Sequence, residues 1–376
     1  MMRYDAKKII HVMVDEKFND MAIRQFEEAA PGIHEYWIVA TDLHLTKSVI
    51  THKCTFESLV AQFSRSDIAG IVFHSLPSNH YILLRQIPHN VRVVWIGYGY
   101  DYYSLLNHEN ESTRVLAKTK VLQAPSHKRH AKRLLRPIWN KIRSFKNEGS
   151  ISDLQRVDYF SPVLDIEYDL VLRHIPLRAK YITWNYGTAE DDFSQLDMAN
   201  VNGSNILAGN SASATNNHAE LFELIRDQVD LTERKVIVPL SYGDPYYRDQ
   251  VIKKGEKLLG KAFLPLTTFM PKEEYSKTIQ ACGFVMMNHL RQQALGNICM
   301  AMLMGAKIYL NGGNPLSSWI KSRGAVFGSI NKLDMIPFQE DDKESNRRLV
   351  YSHWGRDHQL QKTKHLVDTI LSSSTH

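Results

Sequence analysis

The sequence predicts an α/β chain made of two doubly wound units in tandem, and three observations carry that prediction. The 376 residues are too many for one compact core and suit two domains of about 150 to 200 residues each. The 43% hydrophobic and 23% charged fractions are those of an ordinary globular chain, which excludes disorder, collagen and coiled coil as the main architecture. Short continuous apolar runs alternate with stretches of helical period, the pattern of parallel strands covered by helices on both faces.

Taken in order, residues 9–14 form the first apolar run, 36–40 the second, 68–73 the third with His74 at its end, and 91–96 the fourth, stopping at Gly97. Helical period fills 21–30 and 56–63 between them. Residues 159–161 and 181–184 are short strand-like pieces, and 205–211 opens the second unit. Residues 235–240, 261–264, 283–287 and 307–310 supply its further strands. A polar, Asn- and Gly-containing stretch at 191–204 is the expected linker. The expected division is 1–195 for the first domain, 205–340 for the second, and 341–376 for a helical segment able to return to the first.

Net charge is +6, but residues 118–146 hold ten Lys or Arg and no Asp or Glu, leaving 36 basic against 40 acidic residues elsewhere. Within that stretch Leu134, Leu135, Ile138, Trp139 and Ile142 make a helical apolar stripe flanked by Lys132, Arg133, Arg136, Lys141 and Arg143. Such a helix either lies on an anionic bilayer, each cation contributing about 1 kcal/mol, or faces a core with a solvated basic back. No nucleic-acid reader motif accompanies it, so no nucleic-acid partner is expected. No run reaches the 18 apolar residues of a membrane span, the first residues lack a signal-peptide pattern, and Cys54, Cys282 and Cys299 form no Cys-x-x-Cys pair. A reducing cytoplasm is the expected compartment.

In open parallel sheets ligands bind beyond the carboxyl ends of the strands. Residues 209–218 follow an apolar strand and precede a helix; Gly209, Asn210, Ser211, Asn217 and His218 are its candidates, and a helix N-terminus there would favour a diphosphate. An ordinary loop with Thr215 or Asn216 as N-cap is the alternative. No Gly-Lys-Ser/Thr follows and Gly-x-Gly-x-x-Gly is absent, so neither a Walker loop nor a dinucleotide fold is read. Tyr242 and Gly243 follow the next strand, where a base or ribose can pack. Arg291, Gln292, Gln293, Gly296 and Asn297 gather one cation and several amides before an apolar helix, suited to sugar hydroxyls and phosphate oxygens. Asn314 closes a fourth strand in the same style.

In the first half, Asp101, then Asp15, then His11 are the candidates for a general base that deprotonates an attacking hydroxyl; helix capping is the alternative for each carboxylate. His74, His80 and His89 are too scattered to suggest metal ligands, and neither metal nor cofactor is expected.

These same loops carry a family resemblance. The His-Val first strand, Trp95 through Gly99 to Asp101 and Tyr102, Leu207 to Ser211 with Asn217-His218, Val236 to Tyr242, Tyr275 through Cys282, Arg291-Gln292-Gln293, Gly296, and Gly305 to Pro315 resemble the TDP-4-acetamido-4,6-dideoxy-D-galactose (Fuc4NAc) transferases of enterobacterial common antigen synthesis, glycosyltransferase family 56. Tyr98-Gly99-Tyr100-Asp101 departs from that family's tryptophan-glycine-alanine-aspartate run. The resemblance implies a GT-B fold, two Rossmann-like domains facing a central cleft. It implies a metal-independent hexosyltransferase that moves a deoxyamino sugar from a TDP-sugar to a polyprenyl-diphosphate-linked saccharide of a surface polysaccharide such as O-antigen. The basic segment, Lys132, Arg133, Arg136 and Trp139 above all, would dock the enzyme peripherally on the cytoplasmic face of the inner membrane. Gly209, Asn210, Ser211 and Tyr242 would contact nucleotide and diphosphate, and Arg291, Gln292, Gln293, Gly296 and Asn297 the donor. The rival reading is a nucleotide-sugar sensor or scaffold that binds the donor without turnover.

Overall fold

The structure is a computed structural model that describes residues 7–14, 18–39, 53–106, 114–123, 149–193 and 200–372. It divides into two compact units: 1–108 with 142–188 and 356–376, and 109–141 with 189–355.

The first unit holds a parallel sheet of order β3-β2-β1-β4-β5-β6-β7. Its strands are β1 (Lys8–Met13), β2 (His34–Val39), β3 (Lys53–Cys54), β4 (Ile68–His74), β5 (Arg92–Ile96), β6 (Tyr159–Ser161) and β7 (Lys180–Tyr181). β1 and β4 are buried along nearly their whole length, as central strands with helices on both faces must be. One face packs Ile10, Phe73, Trp95 and Phe160 with helix Phe56–Phe63, which Thr55 and Ser58 start with a reciprocal capping box. The other packs Ile9, Val72, Val94 and Ile96 under Phe26 and under Leu366, Val367 and Ile370 of the last helix, Arg356–Leu371. Thr363 accepts from the Trp184 indole at 3.0 Å, and Gln359 donates to the carbonyls of Asn185 and Gly187.

The second unit holds a six-stranded parallel sheet of order β10-β9-β8-β11-β12-β13. Its strands are β8 (Ile206–Ala208), β9 (Val236–Pro239), β10 (Phe263–Leu266), β11 (Phe284–Met287), β12 (Lys307–Leu310) and β13 (Gly328–Ser329). Asp244 and Asn314 cap helices Pro245–Leu259 and Pro315–Ser322, each with proline where its missing N–H costs nothing.

Two features differ from the sequence expectation. The first unit is not a continuous 1–195: residues 114–123 pack on the second sheet's helix His218–Gln228. The helical end divides at Gly355, with Glu340–Trp354 in the second unit and Arg356–Leu371 in the first.

Candidate functional site

Strand order locates the site. From β8 the chain winds outward to β9 and β10, whereas β11, β12 and β13 lie on the other side of β8. The loops leaving the carboxyl ends of β8 and β11 therefore run to opposite faces, and the crevice between them is the topological switch point where open parallel sheets bind ligands. Residues 209–217 and 288–294 are these two loops.

Side chains tie them together. Gln293 donates from Nε2 to Asn210 Oδ1 at 2.9 Å and accepts at Oε1 from Thr215 Oγ1 at 2.7 Å. Asn210 Nδ2 donates to the Tyr242 hydroxyl at 3.1 Å, adding the loop after β9. Backbone bonds reinforce that link, Ala212 N–H to the Tyr242 carbonyl and Asp244 N–H to the Ala212 carbonyl. Gly243 sits at φ +118 with the Ala212 carbonyl oxygen 2.4 Å from where a Cβ would lie, so only glycine fits. Residues 209–211 and 291–297 thus converge on one side of one sheet. Tyr242 leaves about half its surface, 52%, to solvent at this edge.

Not every predicted residue plays the expected part. Asn217 stands at φ +53 before helix His218–Gln228 and gives it no side-chain cap; its amide instead donates to the Asn288 and Arg114 carbonyls, and its Oδ1 accepts from Leu116 N–H. Neither Thr215 nor Asn216 caps that helix; both sit in the preceding turn. The helix start is occupied from within the unit. Thr119 Oγ1 accepts from Ala219 N–H, and Glu220 accepts from the Lys118 and Thr119 N–H groups and the Thr119 hydroxyl. The sequence expectation seats a diphosphate at this N-terminus, where Thr119 already takes the Ala219 N–H. Helix Leu295–Leu303 is different: its N-cap, Ala294 at φ +62, supplies no capping side chain. Gly296 in its first turn is exposed, with only a Phe193 ring carbon within 4 Å of an added Cβ. Half-buried Arg291 precedes it, Asn297 bonds the Tyr275 hydroxyl at 3.1 Å, and Gln292 is buried. A helix start without a side-chain cap, preceded by one guanidinium, is an arrangement that can favour an anion. Asn314 caps its own helix through Leu316 N–H, while Asn311 and Asn288 join beside it at 2.8 Å.

His218 is fully buried behind the loop, its Nδ1 3.0 Å from the Tyr247 hydroxyl. Burial lowers its pKa to about 3. His289 is lowered by burial first, then by Arg291 and His218. Both are neutral imidazoles that bond rather than carry charge. The sequence reading offers Thr215 and Asn216 only as helix caps and gives His289 no role of its own, because the partners that join the two loops lie up to 78 residues away in the chain.

In the first unit, His11 lies within β1, not at its end, and is completely buried. It bridges His74 Nε2 at 2.9 Å and His34 Nδ1 at 3.0 Å, and His74 continues to the Tyr186 hydroxyl at 2.7 Å. His74 is therefore not isolated, and desolvation lowers the pKa of all three histidines. Asp101 is 3% exposed. Its carboxylate accepts from Leu76 N–H, the Trp95 indole and Tyr98 N–H at 2.8 to 3.1 Å; burial pushes its pKa up against those bonds. These contacts make Asp101 the organiser of the loop after β5 and leave His11 inside the core. Asp15, Lys132, Arg133, Arg136 and Trp139 lie outside the described residues.

The comparisons agree with this geometry. Residues 177–337 match the family described as 4-alpha-L-fucosyltransferase, glycosyl transferase group 56. Among solved structures, a glycosyltransferase from Rickettsia africae superposes with a TM-score of 0.64 at 10% identity, covering 99% of this chain and 100% of that one. Anabaena HepE in complex with UDP gives 0.60 at 10%, covering 96% and 100%. The trehalose-6-phosphate synthase OtsA gives 0.62 at 8%, covering 97% and 99%. At these identities the likeness concerns the fold, two parallel sheets with helices of the GT-B type. With that fold, and with the match over residues 177–337 covering both loops of the crevice, the chain is similar to the glycosyltransferases of group 56 across its second sheet.

Proposed function

We propose that the crevice at the β8/β11 switch point binds a TDP-activated deoxyamino sugar of the 4-acetamido-4,6-dideoxyhexose type, and that the sugar passes to a polyprenyl-diphosphate-linked saccharide. The observation that carries the donor side is the Gln293–Asn210 bond, which draws the loops after β8 and β11 into one surface. Tyr242 offers its half-exposed ring to the base, with Gly209, Asn210, Ser211 and Gly243 along the nucleotide. Arg291, Gly296 and Asn297 meet the diphosphate at the start of helix Leu295–Leu303, where the charge of the leaving group develops. Gln292, Gln293 and Asn314 provide amides for the sugar. Resemblance to family 56 supports the deoxyamino donor; the bound UDP of HepE supports a nucleoside diphosphate in general.

The acceptor belongs, on this reading, to the first unit. Deprotonation of its hydroxyl falls to Asp15, which follows β1 by two residues, since Asp101 is committed to three donors of its own loop. The basic segment with Lys132, Arg133, Arg136 and Trp139 holds the enzyme on the cytoplasmic face of the inner membrane, where such an acceptor is anchored. Among the described residues, no helix is long and apolar enough to cross a membrane.

Titration calorimetry with TDP, UDP and GDP tests the donor. TDP should bind tightest, and Arg291→Ala should weaken it about 10- to 100-fold, the loss of one charge-assisted contact. Unchanged affinity would remove Arg291 from the site. Asp15→Asn should lower kcat about 100-fold or more while TDP affinity stays put; an equal kcat would sink the base assignment. Changing Lys132, Arg133 and Arg136 to Glu should release the protein from phosphatidylglycerol vesicles, each reversed charge removing about 1 kcal/mol of attraction or more.

A further inference from the structure

Asn216 is fully buried, and its amide makes bonds on every side. Nδ2 faces three oxygens, the Ser211 carbonyl at 3.1 Å, the Ser211 hydroxyl at 3.3 Å and the Ser213 carbonyl at 3.0 Å. That contact set fixes which end is nitrogen. Oδ1 is then an acceptor only, and it receives the Asn210 N–H at 2.9 Å and His289 Nε2 at 2.9 Å. His289 must carry its proton on Nε2, leaving Nδ1 bare, and Nδ1 has no hydrogen-bond partner. One residue from the loop after β8 and one from the loop after β11 are therefore locked by a bond with a single possible direction. Asn210, whose backbone is held by this lock, is the residue whose side chain meets Gln293 and Tyr242 at the surface of the crevice.

We infer that His289 and Asn216 are positioning residues for donor binding, a buried latch that sets the width of the β8/β11 crevice by holding the backbone of residues 210–213. The latch touches no ligand; it acts through Asn210 and Gln293. The inference rests on the donor-site reading above. Beneath it, Gly209 leaves room for the arrangement, because a Cβ there would lie 2.7 Å from Asn216 Oδ1 and 2.8 Å from His218 Nε2.

The test separates positioning from mere support. His289→Leu removes the Nε2 donor, whereas in His289→Gln an amide N–H can occupy nearly the same place. With each variant folded by circular dichroism, TDP affinity should fall about tenfold or more in His289→Leu and return to within about threefold in His289→Gln. The KM for donor should follow, while kcat at saturating donor and the KM for acceptor stay within about twofold. Equal affinity in Leu, Gln and wild type overturns the latch, as does a fall in kcat alone. If wild type binds none of TDP, UDP and GDP, the donor-site reading falls and the latch with it; if wild type binds and the variants match it, only the latch falls. Long-range nitrogen–proton correlation on the wild-type His289 ring needs no variant to fold. It should report the Nε2–H tautomer and shift when TDP is added; an Nδ1–H tautomer, or no shift, overturns the inference.

Discussion

Gly209 shows how one residue type is dictated by what surrounds it. Its φ of +74 is a left-handed conformation, and an added methyl would strike Asn216 Oδ1 and His218 Nε2, both on fully buried side chains. Gly209→Ala therefore carries about 1 kcal/mol of backbone strain and a steric cost of similar size or more. Expected are a melting point lowered by several degrees in calorimetry and TDP affinity reduced in the same sample. Asp101 makes the opposite case. Asp101→Ala orphans two buried donors and a part-buried third, each buried one worth about 1 to 3 kcal/mol, so urea should unfold the first unit at a clearly lower concentration, while TDP binding in the second unit is untouched. Glycines and small polar residues directly after apolar runs marked Gly209, Asn210 and Gln293 from sequence. Asn216 and the burial of Asp101 could not be read that way, because a hydrogen bond across 73 residues, or an indole folded over a carboxylate, leaves no local pattern.

Among elements, central strands were the most legible. β1, β4, β9, β11 and β12 are buried on both faces and so appear as mainly apolar runs, His11 being the polar interruption within β1. β3 and β13 have two residues each, too few for any period, and were not foreseen. Helix His218–Gln228 was foreseen, but not its stopper: segment 114–123 supplies the cap from about 100 positions earlier. Thr119→Val keeps the shape of the side chain but removes the oxygen that accepts from Ala219. It should cost about 1 kcal/mol, as losses of helix caps do, measured as a lower denaturation midpoint of the second unit. An unchanged midpoint would mean that Glu220 alone holds the segment.

Across the molecule, buried neutral histidines couple stability to pH. His34 and His80 are lowered to about 4 and His74 to about 3, all in the first unit, and His218 to about 3 in the second. Desolvation is the main cause in each case. A group whose folded pKa lies below its unfolded value near 6.5 binds more protons when unfolded between the two. Its stabilising effect is complete above about pH 6.5 and is lost as pH falls toward 4 and then 3. Melting temperature should accordingly drop from pH 6.5 downward, with the first unit failing before the second. His80→Gln should flatten that drop; a profile as steep as wild type would show that His80 does not titrate with unfolding. Both sheets and the family match could be anticipated from sequence, but the path by which the chain passes between units could not, since it depends on which helix covers which sheet.

That path has a consequence for biosynthesis. Ile370 lies against Gly70 and, with Leu366 and Val367, shields β4 and its neighbours. Strands translated early must therefore wait, only partly covered on one side, until some 270 further residues leave the ribosome, on the order of 15 to 50 s at ordinary elongation speeds. During that interval the nascent chain exposes an apolar surface of the kind a holdase recognises, which Leu366, Val367 and Ile370 cover in the finished fold.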